Sequence, residues 1–193
     1  MKKLFITGFE PFGGESINPS WEAVLRLPDT IGEYTLTKLC IPVVFEKSAE
    51  ILIKKAEELR PDVILCIGQA GGRDAITPEM VGINLRYASI PDNQGNQPKD
   101  EPIISNGESA YFSTIPVRKI AEIIHTGGVS SKVSYSAGAY VCNDMLYSLL
   151  AHFKDSQTRV GFIHIPYCTE QNKQPAMPLN DVVKGLTIAI ENI

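Results

Sequence analysis

The sequence predicts an α/β fold with helices layered on a mostly parallel sheet. Three observations predict it. Apolar runs of strand length alternate with segments of helical period along the chain. The run VILCIG (63–68) is almost continuously apolar, as a strand covered on both faces must be. The length of 193 residues suits one domain, expected over 1–193, that buries a core without disulfide or metal support.

Each element has its own signal. KLFIT (3–7) is a short apolar run that ends at Gly8 and reads as a buried first strand. NPSWEAVLRL (18–27) reads as a helix: Asn18 is an N-cap residue and Pro19 suits the first helical position. Trp21, Val24 and Leu25 supply its apolar spacing, and Pro28 stops it. YTLTKLCI (34–41) is a strand. Residues 46–59 form a helix with Ala49, Leu52, Ile53 and Ala56 on one face. Residues 63–68 and 80–87 are further strands.

Residues 88–112 lack apolar periodicity and are rich in Pro, Asp, Asn and Gly, which predicts a long functional loop. A helix at 116–125, a strand at 132–136, a helix at about 140–153, a strand at 159–165 and a helix near 179–191 complete the order. In a parallel sheet the ligand lies beyond the carboxyl ends of the strands. Segments 8–16, 68–79, 136–142 and 164–172 therefore hold the candidate site.

Composition narrows the function. Hydrophobic residues at 44% and charged residues at 21% match ordinary globular usage, so disordered and coiled-coil classes are poor fits. A net charge of −4 without a basic run argues against nucleic acid as a partner. No apolar run approaches the roughly 20 residues that cross a bilayer. The N-terminal stretch MKKLFITGFEPFGG lacks the apolar region of a signal peptide, so a cytoplasmic location is expected. The cysteines at 40, 66, 142 and 168 should then be reduced thiols; no C-x-x-C pair suggests a metal site.

Cys142 opens a predicted helix just after a predicted strand end. A thiol there meets free backbone N–H groups and the positive end of the helix dipole, both of which favour the thiolate. The alternative is an ordinary buried cysteine. Cys40 and Cys66 lie within strands and read as core; Cys168 follows a strand end.

A nucleophilic thiol needs a base, and the chain has three histidines. His152 is ten residues along the same helix, about 15 Å away at 1.5 Å per residue. His125 closes a helix, where the dipole explains it. His164, at the end of GFIHIPY (161–167), emerges on the same edge as Cys142. Glu79 and Asp92 are both candidates to orient its ring.

Two glycine-bearing turns, GFEPFGG (8–14) and GQAGGR (68–73), match neither the dinucleotide nor the P-loop pattern, so no nucleotide cofactor is implied. Phe9 and Phe12 could clamp a flat ring or cap the core. Ser136 has only half of a nucleophile-elbow context.

Five segments together resemble the pyroglutamyl peptidase I (pyrrolidone-carboxylate peptidase) family of cysteine peptidases. They are FITGFEPFGG with NPSWEAV, GQAGGRDAITPEMVGINL, IPDNQGNQPKDEPI, SAGAYVCND and GFIHIPY, which follow in order over nearly the whole chain. The resemblance implies Cys142 as nucleophile, His164 as base and Glu79, rather than Asp92, as the third member. It implies Phe9 and Phe12 as walls for the pyroglutamyl ring, with further contacts from Gln69, Ile90, Tyr140 and Val141. It implies a three-layer α/β/α sandwich with a mixed sheet, assembly as homodimer or homotetramer, and peptides with N-terminal pyroglutamate as substrates.

Ser89 stands where the family pattern places arginine; Arg86 and Arg73 are the arginines nearby in sequence. Two rival functions fit the bare α/β pattern. One is a nucleoside phosphorylase or related hydrolase using the glycine turns for phosphate. The other is a non-catalytic interaction protein with Cys142 as core.

Overall fold

The computed structural model describes residues 1–193. In chain order the elements are β1 (Lys2–Phe9), α1 (Pro19–Arg26), β2 (Thr30–Ile31), β3 (Tyr34–Ile41), α2 (Lys47–Leu59), β4 (Val63–Gln69), β5 (Thr77–Pro78), β6 (Val81–Ile83), β7 (Ala110–Phe112), α3 (Val117–Thr126), α4 (Val141–His152), β8 (Arg159–Ile165), β9 (Tyr167–Cys168), β10 (Ala176–Met177) and α5 (Leu179–Glu191). The central sheet runs β2-β3-β1-β4-β8-β5. β3, β1, β4 and β8 are parallel, and the two short edge strands β2 and β5 are antiparallel to their neighbours. The sheet is therefore mixed, and its four long strands end on one edge.

Period-two alternation sends each long strand's side chains to two cores. Leu4 and Ile6, Val63, Leu65 and Ile67, and Ile163 and Ile165 face α1, α3 and α5. Phe5 and Phe9, Ile64 and Cys66, and Val160 and Phe162 face α2 and α4. These are the three layers of an α/β/α sandwich. The same parity sends His164 to the α4 side, two residues beyond Phe162, whose ring lies 4.7 Å from the imidazole.

Local signals account for the helices. Asn18 caps α1, its Oδ1 accepting from Ser20 N. The inner face of α1 is Ser20, Ala23 and Val24, with Leu27 just beyond it, whereas Leu25 is 50% exposed. The apolar triplet therefore overstates that residue: Leu25 lies one position past the buried stripe. In α2, Ala49, Leu52 and Ala56 are buried and Ile53 only partly so. The inner face of α3 is Val117, Ile120, Ala121 and Ile124, all buried.

Two expected strands are altered. Residues 132–136 form no strand. They run beside β5 through isolated bridges, Ile76 with Ser131 and Glu79 with Ser134. Pro78 lies between those bridges and has no N–H to donate, so the ladder is broken there. The strand expected at 80–87 shrinks to β6, which pairs not with the main sheet but with β7, inside the long segment expected to be only a loop. Cys66 is buried as expected, but Cys40 is half-exposed.

Candidate active site

Sequence direction and strand parity bring the site together. Phe9 ends β1, Gly68 and Gln69 end β4, and His164 lies near the end of β8, paired with Gly68 in register. From β1 the chain passes to β3 on one side and then crosses back to β4 on the other, so a crevice opens at the carboxyl edge. A cavity of about 350 Å³ occupies that edge. Its lining includes Phe9, Phe12, Gln69, Arg73, Tyr140, Cys142 and His164.

Cys142 is the second residue of α4. The first intrahelical bond of α4 runs from Asp144 N to Tyr140 O, which leaves the N–H groups of residues 141–143 unused. The sulfur lies against β4 and β8. A Cβ added at Gly68 would sit 3.0 Å from Cys142 Sγ and 2.7 Å from Phe162 Cζ. Gly68 is thus the space in which the Cys142 side chain rests. Gly68→Ala is expected to lower turnover by on the order of 100-fold through misplacement of the sulfur, for about 1–3 kcal/mol of overpacking. Wild-type kcat in that variant, measured beside its thermal unfolding, would contradict the placement.

His164 Nδ1–H donates to Glu79 Oε1 at 2.7 Å, so the ring is held in the tautomer that leaves Nε2 free. Glu79 is fully buried and His164 is 3% exposed. Burial lowers the affinity of His164 for a proton; the Glu79 hydrogen bond and charge oppose this, Arg73 reinforces it, and the net direction is down from 6.5. For Glu79, burial is again the largest influence and would raise its pKa. His164, the nearby Ser134 hydroxyl and Arg73 outweigh burial and hold the carboxyl below the usual range. The pair at rest is neutral imidazole with ionised carboxylate.

The thiol departs from the expectation set by helix position. Burial pushes Cys142 up to about 12, with Glu79 and Cys66 adding to the rise and Arg73 and its own backbone N–H opposing it. The backbone N–H of Cys142 does not outweigh the loss of water, because a single partial charge offsets only part of the cost of desolvating a full one. The thiol forms no hydrogen bond with His164 at rest; the two share one cavity wall.

The other expected residues separate into those at the cavity and those away from it. Phe12 and Tyr140 face each other with ring centroids 6.3 Å apart, and Phe9 packs on Phe162 at the deep end. Gln69 Oε1 accepts from Gln171 Nε2 at 2.8 Å, leaving its own amide N–H groups for a ligand. Ile90 and Ser89 line an adjoining groove that shares Phe12, Gln69, Gly71 and Tyr140 with the cavity. Val141 does not line the cavity; its side chain is fully buried in the core. Only its backbone N–H, at the helix start, remains available.

Asp92 does not orient His164. It staples the long segment instead, accepting from the N–H groups of Phe45, Gln94 and Asn96 and from Asn96 Nδ2. His152 pairs with Glu57 at the far end of α4. Of the two arginines, Arg86 bonds Asp144 and Glu46 away from the cavity, whereas Arg73 donates to Glu79.

Two residues after Cys142 carry positioning that the sequence reading did not assign. Asn143 bonds Ile83 N, Ile83 O and Leu85 O, and Asp144 accepts from Glu46 N and Arg86. Both are fully buried. Their signal was present: two adjacent polar residues within an otherwise apolar helix need partners, and those partners fix the helix that carries the thiol.

A family model described as Pyroglutamyl peptidase matches residues 2–193. The pyrrolidone-carboxylate peptidase of Brevibacillus brevis is 48% identical, with 99% of this chain and 92% of that protein covered. That of Bacillus cereus is 46% identical over the same shares. Among solved structures, the pyroglutamyl peptidase I of Bacillus amyloliquefaciens superposes with a TM-score of 0.94 at 45% identity, covering 100% of this chain and 96% of that one. A mutant pyrrolidone carboxyl peptidase from Pyrococcus furiosus gives 0.93 at 40% identity, covering 98% and 96%. The match spans both cores and every segment that lines the cavity, and on that ground the chain belongs to the pyroglutamyl peptidase family.

Proposed function

We infer that this protein is a cysteine peptidase that removes N-terminal pyroglutamyl residues from peptides. The whole chain acts as one catalytic domain. The observation that carries the reading is the cavity itself: a thiol and a carboxylate-oriented imidazole open into it, between aromatic walls, and only one lining residue bears a fixed charge.

His164 Nε2 takes the proton of the Cys142 thiol as the sulfur attacks the carbonyl that joins pyroglutamate to the next residue. The imidazolium formed is stabilised by Glu79, and its proton then passes to the departing amine. The unused N–H groups at the start of α4 receive the oxyanion; one such donor contributes on the order of 3 kcal/mol. Water activated by His164 hydrolyses the thioester and restores the thiol.

Substrate choice follows from charge. A pyroglutamyl group carries a neutral lactam in place of an amine. Phe9, Phe12 and Tyr140 supply flat apolar walls, and the Gln69 amide donates to the lactam carbonyl. Val141 and Ile90 contribute only a backbone N–H and an outer edge. An open-chain N-terminal glutamine would bring an ammonium into a cavity whose one fixed charge, Arg73, is also positive. The phosphate-binding alternative lacks a free counter-charge, since Arg73 is already bonded to Glu79.

Release of a chromogenic amine from a pyroglutamyl conjugate tests the reading. Turnover should be lost on thiol alkylation, and the glutaminyl conjugate should react at least about 100-fold more slowly, a few kcal/mol of unpaired charge. Equal rates for the two conjugates would refute the pocket.

The protein works in the cytoplasm as a homodimer or homotetramer. Four free cysteines support the first statement, and the exposed Ile104 and Phe112 on the long segment support the second. No helix is long and apolar enough to cross a membrane.

A further inference from the structure

We propose that Arg73 is a positioning residue of this reaction: it holds the Glu79 carboxylate and offsets its charge, so that Glu79 orients His164 without drawing a resident proton onto the ring. The proposal rests on the peptidase reading and adds a fourth group to it.

The geometry is specific to a guanidinium. Arg73 Nη1 donates to Glu79 Oε1 at 2.6 Å, the same oxygen that receives His164 Nδ1–H. It also donates to Thr77 Oγ1 at 2.5 Å, and the Thr77 hydroxyl in turn meets the backbone carbonyl of His164. Nη2 donates to Ser136 O at 3.0 Å, on the cavity wall that precedes the Cys142 helix. One planar fork thus ties the carboxylate, the base strand and the nucleophile loop. The other carboxylate oxygen, Glu79 Oε2, is buried with no hydrogen-bond partner, so Oε1 carries the pairing.

The charge has a separate consequence. A buried carboxylate beside an imidazole would by itself favour a resting imidazolium, which cannot accept the thiol proton, and would disfavour a thiolate nearby. Arg73 opposes both tendencies: it lowers the proton affinity of His164 and that of Cys142. The titratable and charged groups around the ring are Glu79 and Arg73 on the β5 side, Cys142 on α4 and, deeper behind the thiol, Cys66 on β4. Of these only Arg73 carries fixed positive charge. The proton that leaves Sγ therefore finds an empty Nε2, and the S–H bond breaks as the N–H bond forms.

The test is an NMR titration of the His164 Cε1–H in the wild-type protein, Arg73→Gln and Arg73→Lys, with the pH profile of kcat/KM for a pyroglutamyl amide alongside. In the Gln variant the His164 midpoint should rise by about one pH unit, as expected for loss of a like charge within a few ångströms. The acid limb of kcat/KM should move up with it. The Lys variant keeps the charge but not the fork, so its midpoint should stay near wild type while kcat falls. Arg73→Met, which keeps the apolar stem, replaces the Gln variant if that does not fold. An unmoved midpoint in a folded, uncharged variant overturns the proposal. The NMR measurement needs no turnover, so an inactive wild-type protein would count against the peptidase reading and leave the Arg73 result legible.

Discussion

Cys142→Ala is expected to lower kcat for pyroglutamyl amides by on the order of 10⁴-fold or more, the scale seen when a catalytic nucleophile is removed, while the fold survives. Alanine occupies the second position of α4 without strain, and it removes only a sulfur that borders a cavity. Unfolding should shift by no more than about 1–2 kcal/mol. Retention of measurable turnover in a protein free of wild-type contamination would remove Cys142 from the mechanism. The wild-type thiol should also show its resting state. With its pKa pushed up to about 12 by burial, the rate of iodoacetamide labelling should climb about tenfold per pH unit across the neutral range. A plateau near pH 7 would mean a preformed thiolate–imidazolium pair and contradict transfer of the proton during attack.

The second large effect is expected at His164. His164→Ala removes the proposed base, worth about 10²- to 10⁴-fold in rate, and leaves Glu79 paired with Arg73, so the folded state keeps its buried carboxylate neutralised. The wild-type pH profile follows from the direction of the His164 shift. In the proposed mechanism the reactive form is the unprotonated ring, and its pKa lies below 6.5 because burial opposes the charged form. Activity should be level from neutral pH down to that value and then fall as the ring takes a proton. Loss of activity beginning above pH 7 on acidification would show the opposite shift. The alanine variant should lack this limb altogether.

The legible parts of the chain were those where the pattern is local. The strands at 34–41 and 159–165 and the helix at 179–191 are found at the limits that their apolar runs indicate. Asn18-Pro19 starts α1 because capping and a fixed φ act within one turn. The strand at 132–136 was misread because strand formation needs a partner: its neighbour across the bridge carries Pro78, which cannot donate. The pairing of β6 with β7 was not legible for the same reason, since nothing local says that residues 81–83 meet 110–112. Leu25 was misplaced because spacing alone does not tell which edge of an apolar stripe meets the sheet.

The candidate site divides in the same way. The types and order of residues singled out Cys142 and His164, and the five-segment resemblance selected Glu79, because a thiol at a helix start and a histidine at a strand end are properties of short segments. Sequence could not choose Glu79 over Asp92 by pattern, since both are carboxylates after strands. Three-dimensional contact decides it: one meets the imidazole, and the other meets two backbone N–H groups of the long segment and that of Phe45.

By itself, then, the amino-acid order determined the layered α/β architecture, the family and the residues that could do the chemistry, because hydrophobic period and motif spacing are carried in the chain. Only the tertiary structure decided the burial of the thiol, the partners of Arg73 and the retreat of Val141 into the core. Those depend on how much water reaches each group and which charges surround it, and both are set by segments distant in sequence that meet only when the sheet closes its two cores.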